Sequence, residues 1–351
     1  MPDTPALQRA VGETMMSVPA DMAVATTAES RAKSHSIRMT ALVCTRNRGA
    51  AVADAVRSIL ANDHPDFELI VIDQSSNDRS EVSLRSMCAD PRLRYLRSPT
   101  SGLSNARNVG MSHARALTVA MTDDDCTVPP DWLTRMEKVF TDNPQIAMLL
   151  GNVVAADYDK TKGFVPSYSQ CATIVARSMR DKHLVEGMAA CMGMRVDAWS
   201  ALSGFDPMLG AGSPFRSADE TDMVIRFLLA RRSVLETPDV EVTHQGLRAW
   251  SAADAVVFNY LFGIGATIAK HIKSGNWSVG YVVLALAGRW MFKRPAMDYG
   301  FKPGRRVRLA GFLRGFKAGC MTPVDTRTGH FVRANSSVPA TTVLSTDRRV
   351  S

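Results

Sequence analysis

Apolar and polar positions follow one another in a repeating order along the first half of the chain. A strand-like, mostly apolar run at 37–44 gives way to the polar stretch 45–49, after which Val52, Val56, Ile59 and Leu60 recur at helical spacing. The order then repeats, with a buried strand at 67–72, a helix at 79–89, a short strand at 93–96, a helix at 103–116 and a strand at 117–121. Strands separated by single helices predict βαβ units, hence an α/β fold with a parallel sheet covered on both faces. In such sheets ligands bind beyond the carboxyl ends of the strands, where the loops carry Asp73, Asp123 and Asp125.

Beyond 245 the pattern turns helical. The uncharged stretch 274–288 is only 15 residues long, short of the ~20 needed to span a bilayer. Residues 289–320 then hold nine basic side chains against one acid, Asp298, a difference equal to the whole chain's net charge of +8. Trp290, Phe292, Phe301, Leu309, Phe312, Leu313 and Phe316 stand among those cations. That mixture predicts helices lying in an anionic membrane interface; a solvated or oligomeric helical face and a nucleic-acid surface rank below it. The expected organisation is therefore a flexible tail at 1–34, a catalytic domain at 35–248, a basic amphipathic membrane-associating extension at 249–320 and a second flexible tail at 321–351.

With 351 residues and 46% apolar content the chain can bury the core of a globular enzyme. Its six cysteines show no C-x-x-C spacing, which argues against a thiolate zinc site or a disulfide framework and for a reducing compartment. Residues 1–34 lack the basic and apolar order of a signal peptide. The expected location is cytoplasmic, peripheral at the inner face of the cell membrane.

Candidate chemistry centres on Asp123, Asp124 and Asp125, placed just after an apolar strand. Three adjacent carboxylates repel one another unless a cation or solvent screens them, and hard oxygen ligands suit Mg²⁺ or Mn²⁺ held jointly with substrate phosphates. The same residues can instead form an acidic turn capping the helix that begins near Pro130.

Taken together, the loops resemble the inverting glycosyltransferases of family 2 from about Ile37 to His244. Thr45, Asn47 and Arg48 match that family's opening T-x-N-R motif, and residues 71–78 are similar to its V-D-D-G-S-x-D nucleoside loop, with Gln74 and Ser75 departing from it. Residues 102–110 resemble its G-x-x-x-A-R-N-x-G segment, containing Arg107 and Asn108. The resemblance implies a GT-A fold, a Rossmann-like mixed sheet flanked by helices, here followed by a C-terminal helical extension. It implies that Asp73 contacts the base, usually uracil, that Arg107 reaches the base or diphosphate, and that Asp125 ligates Mg²⁺ or Mn²⁺. Asp123 would bond ribose or a metal-bound water, Asp124 would belong to the donor site, and His244 would touch the metal or diphosphate.

Downstream, Gly204, Phe205 and Asp206 resemble the family's acceptor-side G-F-D loop, and 218–223 stand where it has G-E-D-x-D-L. The frame set by Thr221 and Asp222, the latter also on the acceptor side, puts Glu220 in the place of the catalytic base and Asp219 in that of the preceding Glu. Either carboxylate can serve; Glu220 is the choice. Physically, an acceptor hydroxyl needs a carboxylate to take its proton as it attacks, and the leaving diphosphate needs its growing charge neutralised by a cation and by an arginine fork.

The implied activity is metal-dependent hexosyl transfer, with inversion, from a nucleoside diphosphate sugar to a glycan or lipid-linked acceptor in polysaccharide biosynthesis. A nucleotide-sugar-binding module without activity, and a basic membrane or nucleic-acid adaptor, are the alternatives. The oligomeric state is left open.

Overall fold

The structure is a computed structural model that describes residues 37–292 and 304–333. The expected tail at 1–34, the outer part of the second tail at 334–351, the basic stretch 293–303 and the side chains of 289–292 lie outside the described residues.

Four strands, β1 (Met39–Thr45), β2 (Phe67–Asp73), β3 (Leu93–Arg97) and β4 (Thr118–Asp123), form the parallel half of the sheet, in the order β3-β2-β1-β4. Between them run α1 (Ala51–Leu60), α2 (Arg79–Leu84) and α3 (Leu103–His113). Past β4 the sheet is mixed, and the short elements β7 (Gly163–Phe164), β8 (Ile174–Ala176) and α5 (Val196–Ala201) stand among the longer ones. The strand β9 (Cys191–Arg195) lies antiparallel between β4 and β6 (Ile146–Ala155), and β10 (Ser233–His244) pairs parallel to β6 and antiparallel to β5 (Cys126–Thr127). The parallel order read through residue 121 thus holds for β1–β4, and the sheet as a whole is the mixed one that the family resemblance implies. The chain reaches β9 after a long excursion from β6, so no single helical crossover fixes its direction.

Both faces of the sheet are covered. Leu42, Ile70, Ile72 and Met121 pack into one core, while Ala41, Val43, Leu69 and Val71 pack into another with α4 (Trp132–Asp142). The alternation follows from the two-residue period of a strand, and burial on both sides explains why the strands read as unbroken apolar runs. A side chain on Gly110 would overlap Leu42, so only glycine lets α3 press onto β1 and deliver Arg107 to the strand ends.

The expected helical C-terminal region is present, and it packs onto the core of the sheet. Helix α7 (Ala253–Lys273) puts Leu261, Ile264 and Ile268 into the same core as Leu42 and Ile70, so residue 248 marks no structural boundary. Among the described residues one helix, Trp250–Lys273, is long and apolar enough to cross a membrane, with mean hydropathy 1.4; 56% of its apolar window is buried within the fold. Helix α8 (Gly280–Phe292) follows, with Tyr281 and Leu284 exposed, as is Trp277 just before it. Helix α9 (Arg305–Met321) lies on α7 through Gly311, Gly315 and Gly319, whose missing side chains allow contact with the carbonyls of Phe258, Phe262 and Ala266. Phe312 and Phe316 turn inward, whereas Arg306, Leu309, Leu313, Arg314 and Lys317 face out, so only part of the predicted basic and aromatic surface is available.

Residues 322–333, expected to be flexible, form a strap. Val324 bridges Phe331, which is buried, and the Phe331 amide donates to Asp206 Oδ2 at 2.9 Å.

Candidate active site

Strand register sets the first line of the site. Thr45 lies opposite Asp73, and Cys44 opposite Asp123, so the loops after β1, β2 and β4 leave one edge of the sheet together. His244, at the end of β10, pairs with Cys126 in β5, which brings a residue more than a hundred positions downstream beside Asp125.

The three aspartates have different surroundings. Asp124 accepts from Thr45 Oγ1 at 2.7 Å and from Arg48 Nε at 3.1 Å; burial lifts its carboxyl to about 6 despite those partners. Asp125 faces Arg48 at 2.5 Å, His244 Nε2 at 3.4 Å and Arg248 at 3.5 Å. Burial alone would raise Asp125, but His244, Arg48 and Arg248 outweigh it and hold the carboxyl at about 2. Asp123 sits 3.4 Å from Arg107.

The residues at Asp125 fit a divalent cation. His244 Nδ1 donates to the Pro166 carbonyl at 2.8 Å, which leaves Nε2 facing Asp125, where it shares a proton with the carboxylate and would offer its lone pair to a cation that displaced that proton. A side chain on Gly246 would come within 2.5 Å of both Asp125 Oδ2 and His244 Nε2, so glycine keeps open the space a ligand would use. Cys126 also lies within ligand distance of this pair, but burial pushes its thiol far above the ordinary range, and a neutral thiol is a poor partner for a hard cation. Gly246 and Arg248 escaped the sequence reading; their signal was adjacency to His244.

Arg107 joins the two halves of the site. Almost fully buried on α3, it bonds Asp219 on α6 (Asp219–Leu229) with one terminal nitrogen and approaches Asp123 with the other. Asp219 is thereby engaged. Glu220 makes no ion pair among the described residues; its carboxyl accepts from Thr221 Oγ1 at 3.1 Å and from its own backbone amide, and it meets the Asp219 carboxyl. Burial, followed by the neighbouring Asp219 charge, lifts Glu220 from its ordinary 4.5 to about 7. Just before α6, Arg216 and Ala218 hold left-handed backbone at φ 69° and 68°, a strained approach that aims the first turn of the helix.

Other predicted residues serve the scaffold. Asn47 takes φ 57° and its Oδ1 accepts from the Ser76 amide at 3.0 Å, tying the first two loops together. Asp73 is fully buried, accepting from the Ser75 amide at 2.7 Å and from Tyr95 Oη at 2.5 Å. Asn108, expected at the donor, spends its amide on the Phe205 backbone, at 2.8 Å in both directions, and fixes the turn through Gly204 (φ 77°).

The acceptor-side expectation is corrected for Phe205, Asp206 and Asp222, which are buried too deeply to meet an acceptor. Asp222 and Asp206 share Lys270 of α7 at 2.7 and 2.8 Å. Asp222 also takes Arg226 and His271, each at 2.9 Å, and Arg226 reaches the Gly204 carbonyl at 2.6 Å. This buried network fastens α6 to α7 and to the strap. Lys270, His271 and Arg226 were invisible to motif reading because they lie on apolar helices.

Residues 40–202, slightly less than half of the chain, match the family described as Glycosyl transferase family 2. The succinoglycan biosynthesis protein ExoO of Rhizobium meliloti is 34% identical over 121 residues, covering 34% of each chain. A glucosyl-dolichyl phosphate glucuronosyltransferase of Haloferax volcanii is 28% identical over 125 residues, 35% of this chain and 40% of the relative. The chain thus matches only about a third of the length of these relatives. Among solved structures, the mannosyltransferase PcManGT of Pyrobaculum calidifontis, in complex with GDP-Man and Mn²⁺, superposes with a TM-score of 0.53 at 15% identity over 86% of this chain and 94% of that one. S. aureus TarS 1-349 gives 0.52 at 15% identity over 80% and 81%. At such identity the likeness concerns the fold. Over residues 40–202 the chain is therefore similar to glycosyl transferase family 2, and its fold is GT-A.

Proposed function

We propose that this protein is a glycosyltransferase that moves a hexose from a nucleoside diphosphate sugar, probed first as the UDP form, to an acceptor hydroxyl with inversion, using Mn²⁺ or Mg²⁺. The observation that carries the reading is the convergence of Asp125 and His244 on one side of Arg107 and of Asp219 and Glu220 on the other. Asp125, His244 and, through water, Asp123 would hold the cation, which neutralises charge on the departing diphosphate. Mn²⁺ suits the imidazole better than Mg²⁺ does. Arg107 contributes donors to the diphosphate while keeping Asp219 in place.

Glu220 takes the acceptor proton. It is close enough to neutrality in its affinity to be ionised in half the molecules near pH 7 and to hold the proton once transferred. A single displacement from the face opposite the leaving group inverts the anomeric centre, so no protein nucleophile is involved. The outward cations and leucines of α9, with exposed Trp277 and Leu284, support peripheral contact with an anionic cytosolic leaflet, where a lipid-linked acceptor would be met. The test is hydrolysis or transfer of UDP- and GDP-hexoses with and without Mn²⁺, with the product anomer read by NMR before mutarotation. Chelator-resistant turnover of full rate, or retention of configuration, would overturn the mechanism.

A further inference from the structure

A cleft of about 660 Å³ lies beside the site, between the loop at 99–105, the loop at 207–214 and the strap at 325–333. Its volume falls in the ~300–1,000 Å³ range of small-ligand sites. Two contacts locate it. A methyl group on Gly210 would stand 3.2 Å from the Asp219 carboxyl carbon, and one on Gly212 would stand 3.5 Å from Arg46. One loop thus separates the cleft from both the first donor loop and the first turn of α6.

The lining has the chemistry of a saccharide site. Hydroxyl and amide groups of Ser101, Asn105, Ser213 and Thr328 are set against the apolar surfaces of Pro207 and Phe331. The fully charged groups on its wall, Asp325 and Arg333, are of opposite sign, so the cleft does not select a diphosphate. Ser213 is 9% exposed, and its Oγ, close to Gly102, has no hydrogen-bond partner among the described residues. Leaving a buried hydroxyl unsatisfied is costly, and a ligand hydroxyl entering with a small shift of the 212–214 turn would offset that cost.

Resting on the glycosyltransferase reading, the geometry points to this cleft as the subsite for an uncharged sugar residue of the acceptor, with the C-terminal strap as one of its walls. The strap is held in register by the buried network. His330 Nε2 lies 3.2 Å from both Arg226 and the Gly204 carbonyl, and the Phe331 amide bonds Asp206. Acceptor binding and the placement of α6 therefore share anchors, and an acceptor seated against the strap bears on the helix that carries Glu220.

The experiment is saturation-transfer NMR on the full chain with a mixture of cellobiose, lactose and maltose at millimolar concentration, in the presence of UDP and Mn²⁺. At least one disaccharide is expected to respond. Thr328→Trp, which fills the cleft, should abolish the response. Ser213→Ala should weaken binding about 3–10-fold, the worth of one hydrogen bond, while thermal stability holds or rises because an orphaned hydroxyl is gone. Failure of every disaccharide to respond, or a wild-type response in both variants, overturns the assignment. Nucleotide affinity measured on the same samples reports separately on the donor site.

Discussion

Glu220 offers the sharpest test of the mechanism, because its environment predicts a pH profile as well as a rate. Its carboxyl rises from 4.5 to about 7, with burial as the larger cause and the Asp219 charge as the next. Activity should accordingly increase with pH up to about 7 and level off above it, since only the ionised form accepts a proton. Glu220→Gln should lower kcat by roughly 10²–10⁴-fold and remove that limb, leaving nucleotide affinity nearly unchanged. Asp219→Asn is the more discriminating change. It deletes the like charge and releases Arg107, and both effects favour ionised Glu220. Burial, the larger cause, remains in this variant, so the limb should move to lower pH without reaching that of an ordinary carboxylate. The assay is kcat/KM for transfer between pH 5 and 9 in constant-ionic-strength buffer, with donor affinity followed by calorimetry. Because the two carboxylates interact, the limb belongs to the pair, and its displacement is the quantity to read. An unmoved or alkaline-shifted limb in Asp219→Asn, or a persisting limb in Glu220→Gln, would refute the assignment.

Gly246→Ala should lower Mn²⁺ affinity about 10–100-fold by calorimetry without unfolding the protein, since its side chain would enter the space between Asp125 and His244. Lys270→Met should cost about 3–5 kcal/mol and lower Tm by roughly 6–15 °C, because Asp206 and Asp222 lose a buried cation they share. Asp222 is held well below its ordinary value; burial opposes this, but Lys270, Arg226 and His271 prevail. Its contribution to stability is therefore complete above the ordinary carboxylate range and is lost as pH falls toward the depressed value, so Lys270→Met should begin acid unfolding at higher pH in a circular-dichroism titration. Gly315→Ala should destabilise by about 1–3 kcal/mol in urea, because its methyl group would overlap the Phe262 carbonyl and force α9 off α7.

Local order was legible in the residues alone. The alternation of strand and helix through residue 121 and the loops bearing Asp73, Arg107 and Asp123–Asp125 are properties of neighbouring positions, since side-chain periodicity and turn chemistry act over a few residues. The motif frame likewise put Asp219 and Glu220 at the start of a helix, where the structure has them. It left open which of the two is free.

That choice belongs to the tertiary structure, because it depends on Arg107 reaching across from α3 to bind Asp219 and leave Glu220 half-buried beside it. The antiparallel placement of β9, the arrival of His244 next to Asp125, and the spending of Asn108 on the Phe205 backbone are long-range in the same sense. The C-terminal third shows the limit most clearly. From composition, Lys270 and His271 close an apolar helix and 321–333 lack periodicity, so the one suggested an extension and the other a tail. In the folded chain Lys270 lies between Asp206 and Asp222, and Phe331 seals the same network. A buried charge is tolerable only where opposite charges from distant segments converge on it, and no local pattern records that convergence.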